Sequence, residues 1–328
     1  MGQFHHDQRK GKSSRTQELN LADEISTLRG TFYGVAGTLT ALGIGFLANL
    51  ILARNLGAEA YGVWSLALLT MVFANMISSM GLRQGVSRFI GKYRGSDAKE
   101  KISSIIRTSI SLILPACLLI STIFFIISPQ IAHFFDIPSL SGVLRIISWS
   151  IIPSGILGIV ISIFKGYENI RLAEVIDKFI RSSLWLGSIG ILLAVGFNLR
   201  NVSIAYLIMN LSVTGIAILF FIRDTSSRVI LRTSQPWIGS VLKFSRPLLA
   251  FSIPLLFSGF LNYIRSQTDT FMIAYFLTAR EVGVYTVAFR IASLSPFFLN
   301  AVISIFMPVI SKNLSKGDYS QVNDLYIR

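Results

Sequence analysis

The chain has 328 residues, of which 52% are hydrophobic and only 14% are charged, and its mean hydropathy is +0.62. Soluble globular domains contain about a quarter charged residues, so this composition indicates a polytopic membrane protein. The net charge of +14 does not indicate nucleic-acid binding, because the basic residues are concentrated in alternate loops. The single cysteine, Cys117, lies in an apolar run, which excludes a disulfide framework within the chain.

Eight runs of the chain are apolar enough to cross a bilayer as helices. Such a helix needs about 20 mostly apolar residues. The runs that meet this requirement are 28–52, 62–80, 106–128, 142–164, 182–197, 202–222, 247–277 and 283–310. We therefore predict an all-α polytopic membrane protein with about eight transmembrane helices. No short apolar core with a cleavage site precedes the first run, so a cleaved signal peptide is not expected.

The loops between these runs alternate in charge. Lys and Arg residues are concentrated in the amino-terminal tail and after the second, fourth, sixth and eighth runs. The intervening turns contain only Arg54, Arg200 and Arg280, with Arg145 near the start of the fourth run. Because basic loops stay on the cytoplasmic side, the pattern predicts a multi-pass protein of the cell membrane with a cytoplasmic N-terminus.

The segment ANLILARNLGAEAYG, residues 48–62, has a weaker copy 221 residues later. In this register Ala58 aligns with Ala279 and Gly62 aligns with Gly283. Paired units of this kind build many membrane transporters, with the substrate site between the repeats. The first copy continues into another apolar run, whereas the second copy ends with the chain, so we expect an incomplete second lobe. The predicted parts are a cytoplasmic tail, a six-helix lobe, a cytoplasmic linker and the start of the second lobe, at 1–27, 28–222, 223–246 and 247–328.

A basic amphipathic segment, GLRQGVSRFIGKYRG, follows the second run. Its apolar residues share one helical face, and most of its basic residues lie elsewhere, at Arg83, Arg88, Lys92 and Arg94. These side chains are suited to hold anionic lipid head groups at the cytoplasmic surface. The segment is equally consistent with a solvated cytoplasmic extension of the second helix, and the sequence leaves both interpretations open.

Three ionisable residues fall within the predicted helices of the second lobe. Arg265 and Asp269 are four residues apart and share a helical face, and Arg290 lies in the eighth run. Charge is costly inside a bilayer, so such residues are candidates for function. One interpretation is a structural Arg265–Asp269 ion pair. In the other, both arginines face a substrate cavity and bind an anionic group, while Asp269 balances charge or binds a coupling ion. Asn49 of the first run is a further candidate for this cavity.

The sequence contains no motif for catalysis or for a cofactor. The phosphate-binding motif GxxxxGK[ST] is absent, so we do not expect the chain to hydrolyse ATP. We also expect no metal site. A polytopic glycosyltransferase would need clustered carboxylates in an outward loop, whereas Glu59, Asp136 and Glu281 are widely separated. We therefore predict a transporter rather than an enzyme.

Three blocks of the sequence resemble the polysaccharide transporter family of the MOP flippase superfamily, the lipid-linked oligosaccharide flippases. The blocks are ARNLGAEAYGVWSLAL, FIGKYRG and DTFMIAYFLTAREVGVYTVAFRIA. The first contains an Arg-x-Leu-Gly turn, from Arg54 to Gly57, that leads to Tyr61 and Gly62, and the third opens with Asp269. The resemblance implies two helical lobes around a central cavity that opens alternately to each side. Members of the family usually have more spanning helices than the eight predicted here.

The resemblance implies a flippase that moves a polyprenyl-phosphate-linked oligosaccharide across the cytoplasmic membrane for polysaccharide or glycan biosynthesis. The expected partners are then the lipid-linked glycan, membrane lipids and, as candidates, glycosyltransferases or a polymerase of the same pathway. Two alternatives stay open. One is a cation-coupled multidrug or metabolite exporter of the same superfamily, and the other is an inactive fragment or assembly partner.

Overall fold

The computed structural model describes residues 43–94, 98–223 and 237–293. Within these ranges all regular elements are helical, and six helical runs are long and apolar enough to cross a membrane. The predicted all-α class of a polytopic membrane protein is confirmed. The predicted tail, most of the linker and the chain beyond Ser293 lie outside the described residues.

The helices follow one another through short connections. A 3₁₀ turn joins α4 to α5, and a π turn at Val175–Ile180 joins α6 to α7, so each pair forms one continuous helical run. The bounds within the described ranges are α1 Gly43–Ser79, α2 Leu82–Arg94, α3 Lys99–Phe134, α4 Ser139–Ile147, α5 Ile151–Gly166, α6 Ile170–Glu174, α7 Arg181–Val195, α8 Leu199–Arg223, α9 Trp237–Phe276 and α10 Ala279–Ala292.

Helix α1 contains residues of the first two predicted transmembrane runs in one helical run that continues to Ser79. The turn predicted between the two runs is a single residue, Gly57, with a φ of +77°. Glycine adopts this left-handed conformation without a Cβ clash, and the backbone departs there from the α-helical path. Two features explain why six spans are found among the described residues instead of eight. The first two runs merge into α1, and the eighth run is described only as far as Ser293.

The fifth predicted transmembrane run begins about three helical turns earlier than expected, at Ile170. Lys178 and Arg181 precede the predicted run 182–197, which places them in a predicted cytoplasmic loop. In the structure they lie within the helical run instead. Each is paired with a carboxylate four residues before it, Lys178 with Glu174 at 2.5 Å and Arg181 with Asp177 at 3.0 Å. Opposite charges at this spacing lie on one helical face and offset each other, so the helix continues through the charged segment.

An aromatic cluster lies inside the bundle formed by α1 to α8. Trp64 of α1 is 1% exposed and stacks on Trp185 of α7, with 6.0 Å between ring centroids. Tyr206 of α8 meets Trp64 edge to face at 5.4 Å. Such pairs contribute about 0.5–1.5 kcal/mol each beyond area burial. Nearby, the hydroxyl of Thr214 donates to the carbonyl oxygen of Pro153 at 2.9 Å, which links α8 to α5.

Helix α9 packs along α1, α2 and α3 and fixes the second part of the chain to this bundle. The hydroxyl of Tyr263 donates to the carbonyl oxygen of Leu69 at 2.7 Å, and its ring lies against Phe73. Nearer the start of α9, Phe251 meets Phe89 of α2 edge to face, with 6.1 Å between ring centroids. The interface between α9 and the bundle is therefore largely aromatic.

The repeat-related glycines Gly62 and Gly283 pack against each other between α1 and α10. A Cβ atom added to Gly62 would overlap the backbone carbonyl of Ala279, and one added to Gly283 would overlap that of Ala58. The contact is reciprocal, because Ala58 and Ala279 are themselves equivalent in the sequence repeat. Small residues four positions apart let two membrane helices approach to backbone distance.

We predict that Gly62→Ala or Gly283→Ala lowers the thermal unfolding temperature of the detergent-solubilised protein. The added methyl group must displace a backbone carbonyl, and overpacking of this kind costs about 1–3 kcal/mol. Gly187→Ala is the matched control, since a Cβ atom at Gly187 meets no atom within 4 Å. Equal melting temperatures for Gly62→Ala and Gly187→Ala would contradict the close contact.

Candidate functional site

A tight, capped turn joins α9 to α10. Thr278 caps α10, and the carboxylate of Glu281 accepts hydrogen bonds from the hydroxyl and the backbone N–H of Thr278. The hydrogen bond from the Thr278 hydroxyl lowers the pKa of Glu281 below its ordinary value. This capping box satisfies backbone groups at the start of α10 and fixes the direction in which the helix leaves the turn.

Asp269 of α9 is hydrogen-bonded to α10. The hydroxyl of Tyr285 donates to Oδ2 of Asp269 at 2.9 Å. The ion pairs among the described residues do not include one between Asp269 and Arg265 within 4.0 Å. The geometry therefore does not support the interpretation of these two residues as a structural ion pair, and Asp269 instead joins the two helices.

The two candidate arginines have no carboxylate partner in the part of the chain that the structure describes. Arg265 is exposed on α9, and Arg290 is half-buried on α10, where its Nε meets no acceptor among the described residues. Asn49 hydrogen-bonds within α1, from Nδ2 to the carbonyl oxygen of Gly45 at 2.7 Å. The described contacts do not join Arg265, Arg290 and Asn49 to one another, so their common cavity stays a prediction.

Neither arginine forms an ion pair with a carboxylate among residues 43–94, 98–223 and 237–293. A guanidinium presents several N–H donors in a plane, which suits the oxygens of phosphate or carboxylate groups. The described residues contain no cluster of three or more His, Cys, Asp or Glu side chains that could hold a metal ion.

An apolar cavity of about 400 Å³ lies between α1 and α10, beside the glycine contact. It is open to the surroundings, since the lining residues Val284 and Ile291 are more than half exposed, and its largely aliphatic lining suits hydrocarbon better than charge. Ile291, which follows Arg290 in the chain, is part of the lining. The cavity is also lined by Ala53, Ala58, Tyr61, Val284 and Val287.

The basic side chains of α2 contact different neighbours. The guanidinium carbon of Arg88 lies 4.1 Å from the ring centroid of Phe251 on α9, and Arg94 forms an ion pair with Glu168 at 3.0 Å. The ammonium of Lys92 lies 5.8 Å from the neighbouring ring of Tyr93. The predicted amphipathic helix is present at Leu82–Arg94, whereas its role in binding lipid head groups stays a prediction.

Arg83, the first of these basic residues, is exposed but contacts α5 instead. Its Nη2 donates to the carbonyl oxygen of Ser154 on α5 at 3.3 Å, and it lies within electrostatic range of Arg181 and Asp177. The sequence interpretation missed this group because it assigned Arg83 and Arg181 to cytoplasmic loops. The signal that identifies the group is the spacing of four between Asp177 and Arg181, which places both on one helical face.

Residues 27–314 match the sequence profile of a family described as "Polysaccharide biosynthesis protein". The chain is 26% identical to the "Probable low-salt glycan biosynthesis flippase" of Haloferax volcanii, over 86% of this chain and 55% of that protein. It is 21% identical to the "Lipopolysaccharide biosynthesis protein WzxC" of Escherichia coli, over 90% of this chain and 57% of that protein. The chain thus spans little more than half the length of these curated relatives.

The fold is shared with solved membrane transporters. An inward-facing "multidrug resistance MATE family transporter of the MOP superfamily" matches with a TM-score of 0.58 and 19% identity, over 89% of this chain and 69% of that chain. An outward-facing structure of such a transporter gives a TM-score of 0.55, over 89% and 66%. Because the family profile covers most of the sequence and the fold is that of a MOP transporter, the chain belongs to the polysaccharide biosynthesis protein family.

Proposed function

We propose that the protein, in its complete form, is a flippase that carries a polyprenyl-phosphate-linked oligosaccharide across the cytoplasmic membrane for polysaccharide or glycan biosynthesis. The observation that carries this proposal is that Arg265, in a helix apolar enough to span a membrane, and Arg290, in the eighth predicted run, have no carboxylate partner among the described residues. Guanidinium groups bind phosphate oxygens through paired, charge-assisted N–H donors. The printed names of two relatives, a glycan biosynthesis flippase and a lipopolysaccharide biosynthesis protein, support the same substrate class.

The polar and apolar parts of such a substrate would bind at adjacent places. The phosphate and first sugars would contact Arg265, Arg290 and the amide of Asn49, and Asp269 would balance the charge. A segment of the lipid chain would contact the apolar cavity between α1 and α10, to which Ile291 contributes. This division follows from the substrate, because a lipid-linked sugar joins a charged phosphate directly to hydrocarbon.

Transport by alternating access requires that contacts between the two repeats form and break. The reciprocal contact of Gly62 with Gly283 holds α1 and α10 together at backbone distance. The charge pattern predicts that the turn at Gly57 within α1 and the start of α10 face outward. In the proposed cycle the contact seals the outer side while the substrate enters from the cytoplasm, and it opens for release.

We place the protein in the plasma membrane with its N-terminus in the cytoplasm. Helix α2 would then lie near the cytoplasmic surface, where Arg88, Lys92 and Arg94 attract anionic head groups. Arg83 is less suited to this role, because its guanidinium contacts Ser154 of α5. The proposed partners are the lipid-linked glycan, membrane lipids, and glycosyltransferases or a polymerase of the same pathway. The protein would act as a transporter and not as an enzyme.

A second candidate function is cation-coupled export of small molecules. The likeness in fold to a MATE family transporter favours it, and Asp269 would then bind the coupling cation. The geometry offers weaker support, because Oδ2 of Asp269 already accepts a hydrogen bond from Tyr285 and the nearby charged groups are guanidiniums.

We predict that Arg265→Gln and Arg290→Gln each lower the flipping rate by about tenfold or more. A charge-assisted hydrogen bond contributes about 1.5–3 kcal/mol, and 1.4 kcal/mol corresponds to a factor of ten. The protein, expressed from its complete coding sequence, would be reconstituted into vesicles with a polyprenyl-phosphate-linked oligosaccharide. Exposure of the sugar to an impermeant glycosidase would measure the rate.

Arg280→Gln is the matched control, since Arg280 is an exposed arginine at the start of α10 and should leave the rate unchanged. Wild-type rates for Arg265→Gln and Arg290→Gln would contradict the phosphate-binding role. Gradient-driven export of a cationic drug, abolished by Asp269→Asn, would favour the exporter instead.

We also predict that Asp269→Asn and Tyr285→Phe have non-additive effects on thermal stability, with a coupling of about 1 kcal/mol, because the first removes the charge from this hydrogen bond and the second removes its donor. The double variant should therefore be only slightly less stable than either single variant. Tyr275→Phe is the control, because the exposed Tyr275 shows ring contacts and no hydroxyl hydrogen bond among the described residues. Additive effects of Asp269→Asn and Tyr285→Phe would show that the bond contributes nothing measurable.

A further inference from the structure

A second close contact between the two repeats lies between α2 and α9. Gly81, just before α2, has a φ of +69°, and a Cβ atom added there would overlap the backbone carbonyl of Ser252. A Cβ atom added to Gly85, about one helical turn later, would overlap the side chain of the same serine. Two glycines four positions apart thus let the start of α2 approach the backbone of α9.

Aromatic and cationic side chains extend this contact along α2. The guanidinium carbon of Arg88 lies 4.1 Å from the ring centroid of Phe251, which precedes Ser252 in the chain. Near the other end of α2, Tyr93 meets Phe244 edge to face, with 6.4 Å between ring centroids. Both kinds of contact are attractive and depend on orientation. They therefore fix which faces of α2 and α9 meet when the two helices are together.

The α2–α9 contact and the contact of Gly62 with Gly283 are far apart along the membrane normal. Phe276, where α9 ends next to the turn into α10, follows Ser252 by 24 residues. This corresponds to about 36 Å of helix, whereas the hydrocarbon core is about 30 Å thick. The charge pattern predicts that the α2 end is cytoplasmic and that the turn into α10 is outward. The structure thus has one glycine contact between the repeats near each membrane surface.

Between these two contacts, α9 is attached to α1 near the middle of the distance. The hydroxyl of Tyr263 donates to the carbonyl oxygen of Leu69 at 2.7 Å. Tyr263 follows Ser252 by eleven residues and precedes Phe276 by thirteen. A helix held at this point can tilt, so that one end separates from its neighbour while the other end stays in contact.

The side chain of Ser252 makes the α2–α9 contact less favourable than a fully apolar one. Ser252 is fully buried, and its hydroxyl has no hydrogen-bond partner among the described residues. A buried hydroxyl without a partner is costly, because it has lost its bonds to water. Separation of α2 from α9 would hydrate this hydroxyl and offset part of the packing that is lost. The contact is therefore suited to open and close.

We propose that Gly81, Gly85 and Ser252 form a cytoplasmic gate, which must open before a substrate can reach Arg265 from the cytoplasm. This inference rests on the proposed transport function, and it assigns to α2 a role besides the attraction of lipid head groups. The gate is the counterpart of the outward glycine contact. When α9 tilts, the gate opens while the outward contact stays closed, and the reverse movement releases the substrate on the outer side.

A disulfide that locks the gate tests this proposal. A Cβ atom at Gly85 would lie 3.7 Å from Cβ of Ser252, and disulfides have a mean Cβ–Cβ distance of about 3.8 Å. Gly85→Cys and Ser252→Cys would be combined in the protein expressed from its complete coding sequence, in a background free of other cysteines. The matched control is Gly155→Cys with the native Cys117 retained, because a Cβ atom at Gly155 would lie 3.8 Å from that of Cys117. This control disulfide joins α3 to α5 within the bundle.

We expect oxidation to stop flipping by the Gly85→Cys/Ser252→Cys protein in reconstituted vesicles, and a reductant to restore it. The control should flip at the same rate when oxidised and when reduced. Maleimide labelling of the unfolded protein would verify each disulfide. The proposal is overturned if the Gly85→Cys/Ser252→Cys pair does not oxidise, if the locked protein still flips, or if the control disulfide stops flipping equally.

A second measurement does not depend on the transported substrate. Arg265→Cys would be added to each disulfide pair and labelled from the cytoplasmic side with a membrane-impermeant thiol reagent. We expect the locked gate to prevent this labelling and the control disulfide to leave it unchanged. Labelling that continues in the locked protein would overturn the gate. Labelling that depends on the lock, in a protein whose wild type does not flip the lipid-linked oligosaccharide, would support the gate and contradict the proposed substrate.

Ser252→Ala covers the case in which Gly85→Cys does not fold. It removes the buried hydroxyl without adding atoms, so it should stabilise the closed gate and slow the cytoplasmic labelling of Arg265→Cys. Labelling at an unchanged or higher rate would contradict the role of Ser252 in opening the gate.

Discussion

The cost of charge in a hydrocarbon environment explains much of how the polar side chains are arranged. The carboxylate of Asp177 is paired with Arg181, and that of Asp269 accepts a hydrogen bond from Tyr285. The acidic groups in these helices are thus satisfied locally, whereas Arg265 has no such partner among the described residues. Among the described residues of these helices, the charge left without an ion-pair partner is therefore positive.

Helix α1 connects the two charged regions by direct packing. On one side, Trp64 stacks on Trp185, one turn after Arg181. On the other side, the carbonyl oxygen of Leu69 accepts a hydrogen bond from Tyr263, two residues before Arg265. A displacement of α1 relative to either neighbour would therefore alter packing next to both regions.

The sequence predicted the helical class, the amphipathic α2 and the repeat, because all three depend on local patterns of apolar and small residues. It did not predict that the helix containing Arg181 begins at Ile170, since hydropathy counts each charge separately and ignores partners four residues away. It also could not predict that Arg83 contacts Ser154. That contact depends on tertiary packing against Gly158, which no local pattern contains.

The close approach of Gly62 and Gly283 has a consequence for the history of the chain. If the two repeats arose by gene duplication, most of their positions could then diverge independently, as the weak similarity between them shows. These two positions could not, because a side chain on either repeat collides with the backbone of the other, where no compensating substitution can remove a carbonyl group. The pair is therefore a point at which selection on one half of the gene acts directly on the other half.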